Sequence, residues 1–92
     1  MIIKGKTSTG FAYAFDDRLR NDWRILAAIA DSESDDATLK IKGTSNLVRL
    51  FLGVEGEAKL MAHIAELNEG FVPTTAVTAE LVDILKGDAK NS

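Results

Sequence analysis

Residues Phe11-Ala12-Tyr13-Ala14-Phe15 alternate large aromatic side chains with alanine. Because successive side chains of a strand point to opposite faces, this spacing places three aromatic rings on one face of a β-strand. Upstream, residues 2–6 suit the partner strand, and Thr7-Ser8-Thr9-Gly10 supplies turn-forming residues between the two strands. We therefore expect a β-hairpin over about residues 2–15. Two strands alone are marginal in water, so the hairpin must pack on helices or gain strands from another copy.

Residues 17–31 have the periodicity of an amphipathic helix, whose start is open because Asp16, Asp17 and Asn21 can each cap an N-terminus. One apolar stripe runs along this segment, through Leu19, Trp23, Leu26 and Ala30. The stripe favours a core position for Trp23 over a role as an anchor for a partner. The acidic residues 31–36 follow and predict a solvated loop, since like charges repel and Ser and Asp favour turns. Residues 38–42 fit either a short strand or a helical turn.

Three further helices are predicted over about residues 44–52, 54–68 and 74–86, with a polar tail at residues 88–92. Gly53 separates the first two helices as a C-terminal cap. In the last helix, the apolar stripe leaves Glu80 and Asp83 on the solvent side. Together these elements predict an α+β fold in one domain over residues 1–92, with an N-terminal β-hairpin packed on a bundle of three to four short helices.

Residues 47–54 form the most apolar segment of the chain. Its large side chains are those of Leu47, Val48, Leu50, Phe51, Leu52 and Val54. On a helix they cover more than one face, which is typical of a helix at the centre of a core or of one partly covered by another chain. A fully central helix is hard to build in so small a domain. These six residues are therefore a candidate partner-binding surface, and filling of the domain's own core is the alternative.

Composition excludes several classes of function. The chain has 92 residues, a formal net charge of −3 and no cysteine. Without cysteine there are no disulfides, no thiolate catalysis and no cysteine-bound zinc. The acidic balance argues against nucleic acid as a partner, because phosphate contacts need clustered Lys and Arg in excess. No apolar run approaches the ~18 residues of a membrane span, and the first residues lack a signal-peptide pattern. We expect a cytoplasmic protein without membrane partners.

Two motifs that could carry chemistry each fail a requirement. Asp31, Glu33 and Asp35 have the spacing of the first calcium ligands of an EF-hand loop. The sixth and twelfth positions, however, lack the glycine and the glutamate that such a loop needs. His63 lies at the edge of an apolar stripe, and no nucleophile or acid stands at a spacing that would make it a base. The sequence therefore predicts no catalytic residue, no metal and no cofactor.

Several short motifs occur in a characteristic order along the chain. They are Asp22-Trp23, Leu52-Gly53-Val54-Glu55-Gly56, Leu60 to His63, Gly70-Phe71-Val72-Pro73, Glu80-Leu81 and Ile84-Leu85. In this order they resemble the small tail assembly chaperones of tailed phages and prophages of Gram-positive bacteria. Phe51 departs from the pattern, which has leucine there. Members of this family are often made in a short and a longer form by ribosomal frameshifting, and Lys90-Asn91 is what an A-rich slippery heptamer would encode.

The resemblance implies a binding protein and not an enzyme. Such chaperones bind the long helical tape measure protein and keep it soluble while the tail tube polymerises. An exposed apolar stripe on that client would aggregate, and a small helical domain can cover it in an apolar groove. The implied partners are the tape measure protein, the major tail protein and further copies of this chain, with residues 47–54 as the candidate contact. The alternative is a generic protein-interaction module or a small DNA-binding regulator of phage origin.

Overall fold

The N-terminal hairpin forms as the alternation predicts. The computed structural model describes residues 1–87, in which β1 (Ile2–Lys6) pairs antiparallel with β2 (Ala12–Asp16). Phe11 and Phe15 are buried, and the ring of Phe15 meets that of Phe51 edge-on with 5.0 Å between centroids. The aromatic face of the hairpin therefore packs on the helices, which gives the two strands the support that they lack alone.

The predicted helix over residues 17–31 is divided into two elements. Asp17–Asn21 forms a 3-10 turn, and α1 spans Trp23–Ser32. Between them Asp22 is extended, with φ −83° and ψ 132°, and its carboxylate accepts the backbone N–H of Arg24 at 2.8 Å. An aspartate that caps in this way fixes the start of a helix. Because Asp22 is extended and caps α1, the segment that the apolar periodicity predicts as one helix is divided at this residue.

α1 also buries a different face from the predicted one. The core position predicted for Trp23 is wrong, because this side chain is 81% exposed while Ile25 is fully buried. The reason lies in Gly43 of the following helix. A Cβ at Gly43 would stand 2.7 Å from the carbonyl oxygen of Ala28 and 2.4 Å from the backbone nitrogen of Ser32. The two helices therefore meet through small residues, Gly43 on one and Ala28 and Ser32 on the other. With this face of α1 against α2, the apolar stripe that contains Trp23 faces solvent.

α2 spans Ala37–Leu67 and begins earlier than predicted. The carboxylate of Asp36 accepts the backbone N–H groups of Thr38 and Leu39, so residues 38–42 are helical and not a strand. The prediction of a helix start near residue 44 is wrong because Gly43 remains helical. Close packing against α1, which no local pattern reveals, explains why a glycine occupies this position inside a helix.

Gly53 breaks α2 into two segments, residues 37–52 and 54–67. Its φ of 75° and ψ of 174° lie outside the helical region. The predicted break at Gly53 is confirmed, and the two segments correspond to the second and third predicted helices. Both segments contribute to one core, with Leu47 and Phe51 on the first and Leu60 and Ile64 on the second.

We expect Gly53→Ala to destabilise the chain by about 1–3 kcal/mol, because this combination of φ and ψ is essentially restricted to glycine. An added Cβ would meet nothing within 4 Å, so the expected cost is backbone strain without a clash. Urea denaturation measures the change. The control is the reverse exchange Ala58→Gly at an exposed helical position. It measures the ordinary difference in helix propensity between alanine and glycine, which is about 1 kcal/mol. A Gly53→Ala variant as stable as the parent would show that the kink does not depend on glycine.

α3 spans Thr74–Lys86 and closes the core, in agreement with the predicted helix over residues 74–86. Leu81 and Ile84 are buried against residues of α1, α2 and the hairpin, which form one apolar cluster. The α+β class is thus confirmed: a two-stranded antiparallel sheet packed on three helices. The predicted polar tail and Lys90-Asn91 lie outside the described residues. Within residues 1–87, no helix combines the length and the hydropathy that crossing a bilayer requires.

Candidate functional site

The predicted partner surface at residues 47–54 is divided between core and surface. Leu47, Val48 and Phe51 lie in the core of this chain, so for them the core-filling alternative holds. The helix is not fully central, because Asn46 and Arg49 are exposed. The kink at Gly53 lets both segments of α2 face the same core. The other two leucines are half-buried, and only Val54, at 70%, is exposed. A partner contact through Val54 stays a prediction.

A different apolar feature opens between the two segments of α2 and α3. This apolar cleft has a volume of about 170 Å³, and its apolar lining consists of Ile41, Val48, Met61, Val72 and Val77. Val48 is buried and lies at the floor, whereas Ile41 is 58% and Val72 40% exposed. Water therefore contacts large apolar side chains at the rim of a concave site, which is the usual character of a place where another molecule binds.

One carboxylate lies among the side chains that line the apolar cleft. The side chain of Glu57 is 18% exposed, and both Nε and Nη2 of Arg49 donate to its Oε1, at 3.2 and 2.9 Å. Arg49 belongs to the first segment of α2 and Glu57 to the second, so the ion pair bridges the kink at Gly53. Among residues 1–87 no group donates to Oε2, and this oxygen is not sealed from solvent. Glu57 can therefore accept a further hydrogen bond at the cleft.

A polar network that is buried at Thr7 and Glu80 joins the hairpin turn to α3. Glu80 accepts the hydroxyl of Thr7 through Oε1 at 2.7 Å and that of Thr9 through Oε2 at 2.9 Å. Each hydroxyl has a single proton, so Thr9 Oγ1 acts as the acceptor toward Nε2 of His63, 2.9 Å away. In this network Nε2 therefore carries a hydrogen. In a hydrolytic triad the acid bonds to the histidine and orients it. Here the Glu80 carboxylate bonds to the two threonine hydroxyls and not to the imidazole of His63, so the arrangement is not that of a triad.

The solvent-side placement predicted for Glu80 is wrong, because this residue is only 4% exposed. The hairpin turn covers it, and the two threonine hydroxyls offset the loss of its hydration. Asp83, one turn further along α3, is half-exposed and accepts the backbone N–H and the hydroxyl of Ser8 at 3.0 and 2.9 Å. These two bonds, the backbone one first, lower the pKa of Asp83. Two carboxylates of α3 therefore fasten the hairpin turn.

We expect Glu80→Ala to destabilise the chain by about 1–3 kcal/mol, because the buried Thr7 hydroxyl loses its acceptor. Glu80→Gln keeps one carbonyl acceptor and is expected to lose less. Urea denaturation at neutral pH measures both variants, with Glu66→Ala as the control at a solvent-exposed glutamate. If Glu80→Ala and Glu66→Ala changed stability equally, the network would contribute nothing to the attachment of the hairpin.

All four arginines are engaged by groups of the chain itself. Three form ion pairs at 2.7–2.9 Å, Arg18 with Asp16, Arg24 with Asp22 and Arg49 with Glu57. The fourth, Arg20, donates to the carbonyl oxygens of Leu85 and Gly87. Hydrogen bonds from the guanidinium groups, followed by those from the backbone of the same arginines, lower the pKa of Asp16 and that of Asp22 to about 2. Each arginine thus has a partner within the chain, and in the three ion pairs the arginine lies next to a carboxylate of opposite charge, which offsets the positive charge that a phosphate backbone would bind.

The acidic residues 31–35 do not form the start of a calcium loop. Asp31 lies in the last turn of α1, and Glu33 is the residue that caps its C-terminus. Within residues 1–87, no group of three acidic or histidine side chains is placed to hold a metal ion.

Comparison of the chain with models of protein families, with curated proteins and with solved structures finds no match. What the chain does must therefore be inferred from its own residues and from the motif order that they carry.

Proposed function

We propose that this protein is a tail assembly chaperone of a phage or prophage, which binds the tape measure protein and keeps it from aggregating until the tail tube assembles. The supporting observation is the apolar cleft, whose rim exposes Ile41 and Val72 to water. The order of motifs along the chain suggests the client, and the cleft suggests how that client is held.

The walls of the apolar cleft suit a helical client. They are formed by both segments of α2, by Val72 and by the start of α3, and their apolar side chains include the buried Val48 and a methionine, Met61. An amphipathic helix binds an apolar groove through residues of its apolar face, which recur every three or four positions. Methionine adapts to varied apolar shapes, which suits a chaperone that meets different stretches of one long client.

Binding alone accounts for this activity, and no bond is made or broken. The protein acts in the bacterial cytoplasm, where several copies cover one tape measure chain. Val54, the exposed residue of the segment 47–54, is a candidate for contacts between copies or with the major tail protein. A DNA-binding regulator, the alternative, is less well supported because the formal net charge is −3 and three of the four arginines lie beside a carboxylate of the chain itself.

Co-expression with fragments of the tape measure protein from the same gene cluster tests the proposal. We expect the fragments to remain in the soluble fraction when this chain is present and to precipitate when it is absent. Equal precipitation in both cases would rule out the chaperone activity. The order of genes gives an independent check, with a major tail protein expected upstream and a very long tape measure gene downstream.

A further inference from the structure

The apolar cleft is small for a groove that would hold a whole helix face. Its volume of about 170 Å³ is close to that of an engineered apolar cavity of ~150 Å³ that binds one benzene molecule. One aromatic ring or one large aliphatic side chain therefore fills it. The client helix can insert a single anchor residue, while neighbouring residues of its apolar face rest on the exposed rim at Ile41 and Val72.

The charge at the cleft has one sign. Glu57 lines it, and none of the other described residues that line it is charged. Arg49 neutralises Glu57 from one side only, since both of its bonds go to Oε1 and its own side chain is 59% exposed. Oε2 belongs to a side chain that is largely buried, but this oxygen has no donor among residues 1–87 and is open to solvent. A cation or N–H donor brought to the cleft could therefore bond to this oxygen in place of water.

We propose that the apolar cleft recognises two features of one helical segment: a large apolar side chain that fills the cavity, and a lysine or arginine three or four residues away that binds Oε2 of Glu57. Residues at this spacing lie on the same helix face, so one segment can present both. The ion pair contributes more selectivity than affinity, because it disfavours apolar segments with an acidic or neutral residue in that place. This inference rests on the proposed function for the identity of the client, but its test does not.

Two small probes separate the apolar requirement from the charge requirement. Phenethylammonium carries an aromatic ring and a cation, and 2-phenylethanol is a neutral counterpart of nearly the same shape. Titration of each into the full chain, followed by NMR of the side-chain methyls, is expected to shift Val48, Met61 and Val77 with dissociation constants on the order of 1 mM, as suits ligands of this size. We expect the cation to bind at least threefold more tightly than the alcohol.

Variants of the ion pair make the test specific. Glu57→Gln is expected to abolish the preference for the cation and to retain binding of the alcohol, whereas the control Glu66→Gln, at an exposed position of the same helix, retains the preference. Arg49→Gln frees Oε1 as well and is expected to increase the preference, which gives a second test if Glu57→Gln does not fold. Equal affinity for both probes in the parent chain, or no shift at these methyls, would overturn the inference.

The outcomes also separate this inference from the proposed function. If the probes bind as expected but tape measure fragments precipitate, the chaperone proposal fails, and the preference of the cleft for a cationic over a neutral aromatic ligand is retained. If the fragments stay soluble but the probes do not bind, recognition by anchor and cation is overturned and the chaperone proposal survives.

Discussion

Replacing Gly43 with valine is expected to destabilise the chain by more than about 3 kcal/mol and to lower its melting temperature strongly. A Cβ at this position would lie 2.4 Å from the backbone nitrogen of Ser32 and 2.7 Å from the carbonyl oxygen of Ala28. These are backbone atoms of α1, so no side-chain rotation relieves the overlap, and the helix as a whole must move. Valine has a better helix propensity than glycine, but this difference stabilises the helix by less than about 1 kcal/mol. Overpacking destabilises a core by about 1–3 kcal/mol and occasionally more.

A graded series measures this effect. Gly43→Ala is expected to lower the free energy of unfolding by about 1–3 kcal/mol, and Gly43→Val by more, out of a total of about 5–15 kcal/mol for a domain. Asn46→Val is the matched control, because residue 46 lies on the same helix and is exposed. Thermal unfolding followed by circular dichroism compares the variants. A Gly43→Val chain with the melting temperature of the Asn46→Val control would show that α1 and α2 do not pack through this contact.

Val72→Glu is expected to abolish the solubilisation of tape measure fragments while leaving the fold intact. The valine stands at the rim of the apolar cleft and is 40% exposed, so the charged side chain can remain in water in the free protein. Exposed substitutions of this kind usually change stability by no more than about 0.5 kcal/mol. In the complex, however, the new carboxylate would be buried against an apolar helix face without a partner, which is strongly unfavourable.

Val82→Glu provides a closely matched control for this prediction. Val82 is 41% exposed, lies on α3 and does not belong to the cleft lining. Both variants are compared in the co-expression assay, with circular dichroism to verify that each is folded. Loss of soluble client with Val72→Glu and retention with Val82→Glu is the expected pair of results. Retention with both variants would place the client contact elsewhere on the molecule.

Local patterns were sufficient to predict much of the fold. Alternating aromatic residues identify β2, because burial on one face of a strand repeats every second residue. The break at Gly53 and the last helix likewise follow from glycine, proline and apolar spacing within a few residues. In each of these cases the physical cause of the structure lies inside the segment itself.

Other features depend on contacts between distant segments and are not visible locally. Trp23 is turned outward because Gly43 requires the small residues of α1 to face α2. Glu80 is buried because two threonines of the hairpin turn, more than seventy residues away in sequence, donate hydroxyls to it. A pattern that assigns tryptophan to the core and glutamate to the surface is wrong at both positions for this reason.

The apolar cleft could not be predicted for a related reason. Its lining comes from the first segment of α2, the second segment of α2, the residues before α3 and α3 itself. Within each segment these side chains are ordinary members of an apolar stripe, or isolated exposed residues such as Ile41. The sequence indicated an excess of apolar residues near positions 47–54, but Val48, which lines the cleft, is buried, and the exposed member of that segment is Val54.

Site-specific cross-linking tests most directly whether the chain acts by covering an apolar helix of another protein in this cleft. The chain has no cysteine, so a single introduced one provides a unique attachment point for a photo-reactive group. We predict that Val72→Cys, once labelled, forms a covalent product with a co-expressed tape measure fragment, and that Val82→Cys and Val54→Cys do not. Cross-links from position 82 or 54 with none from position 72 would contradict this account.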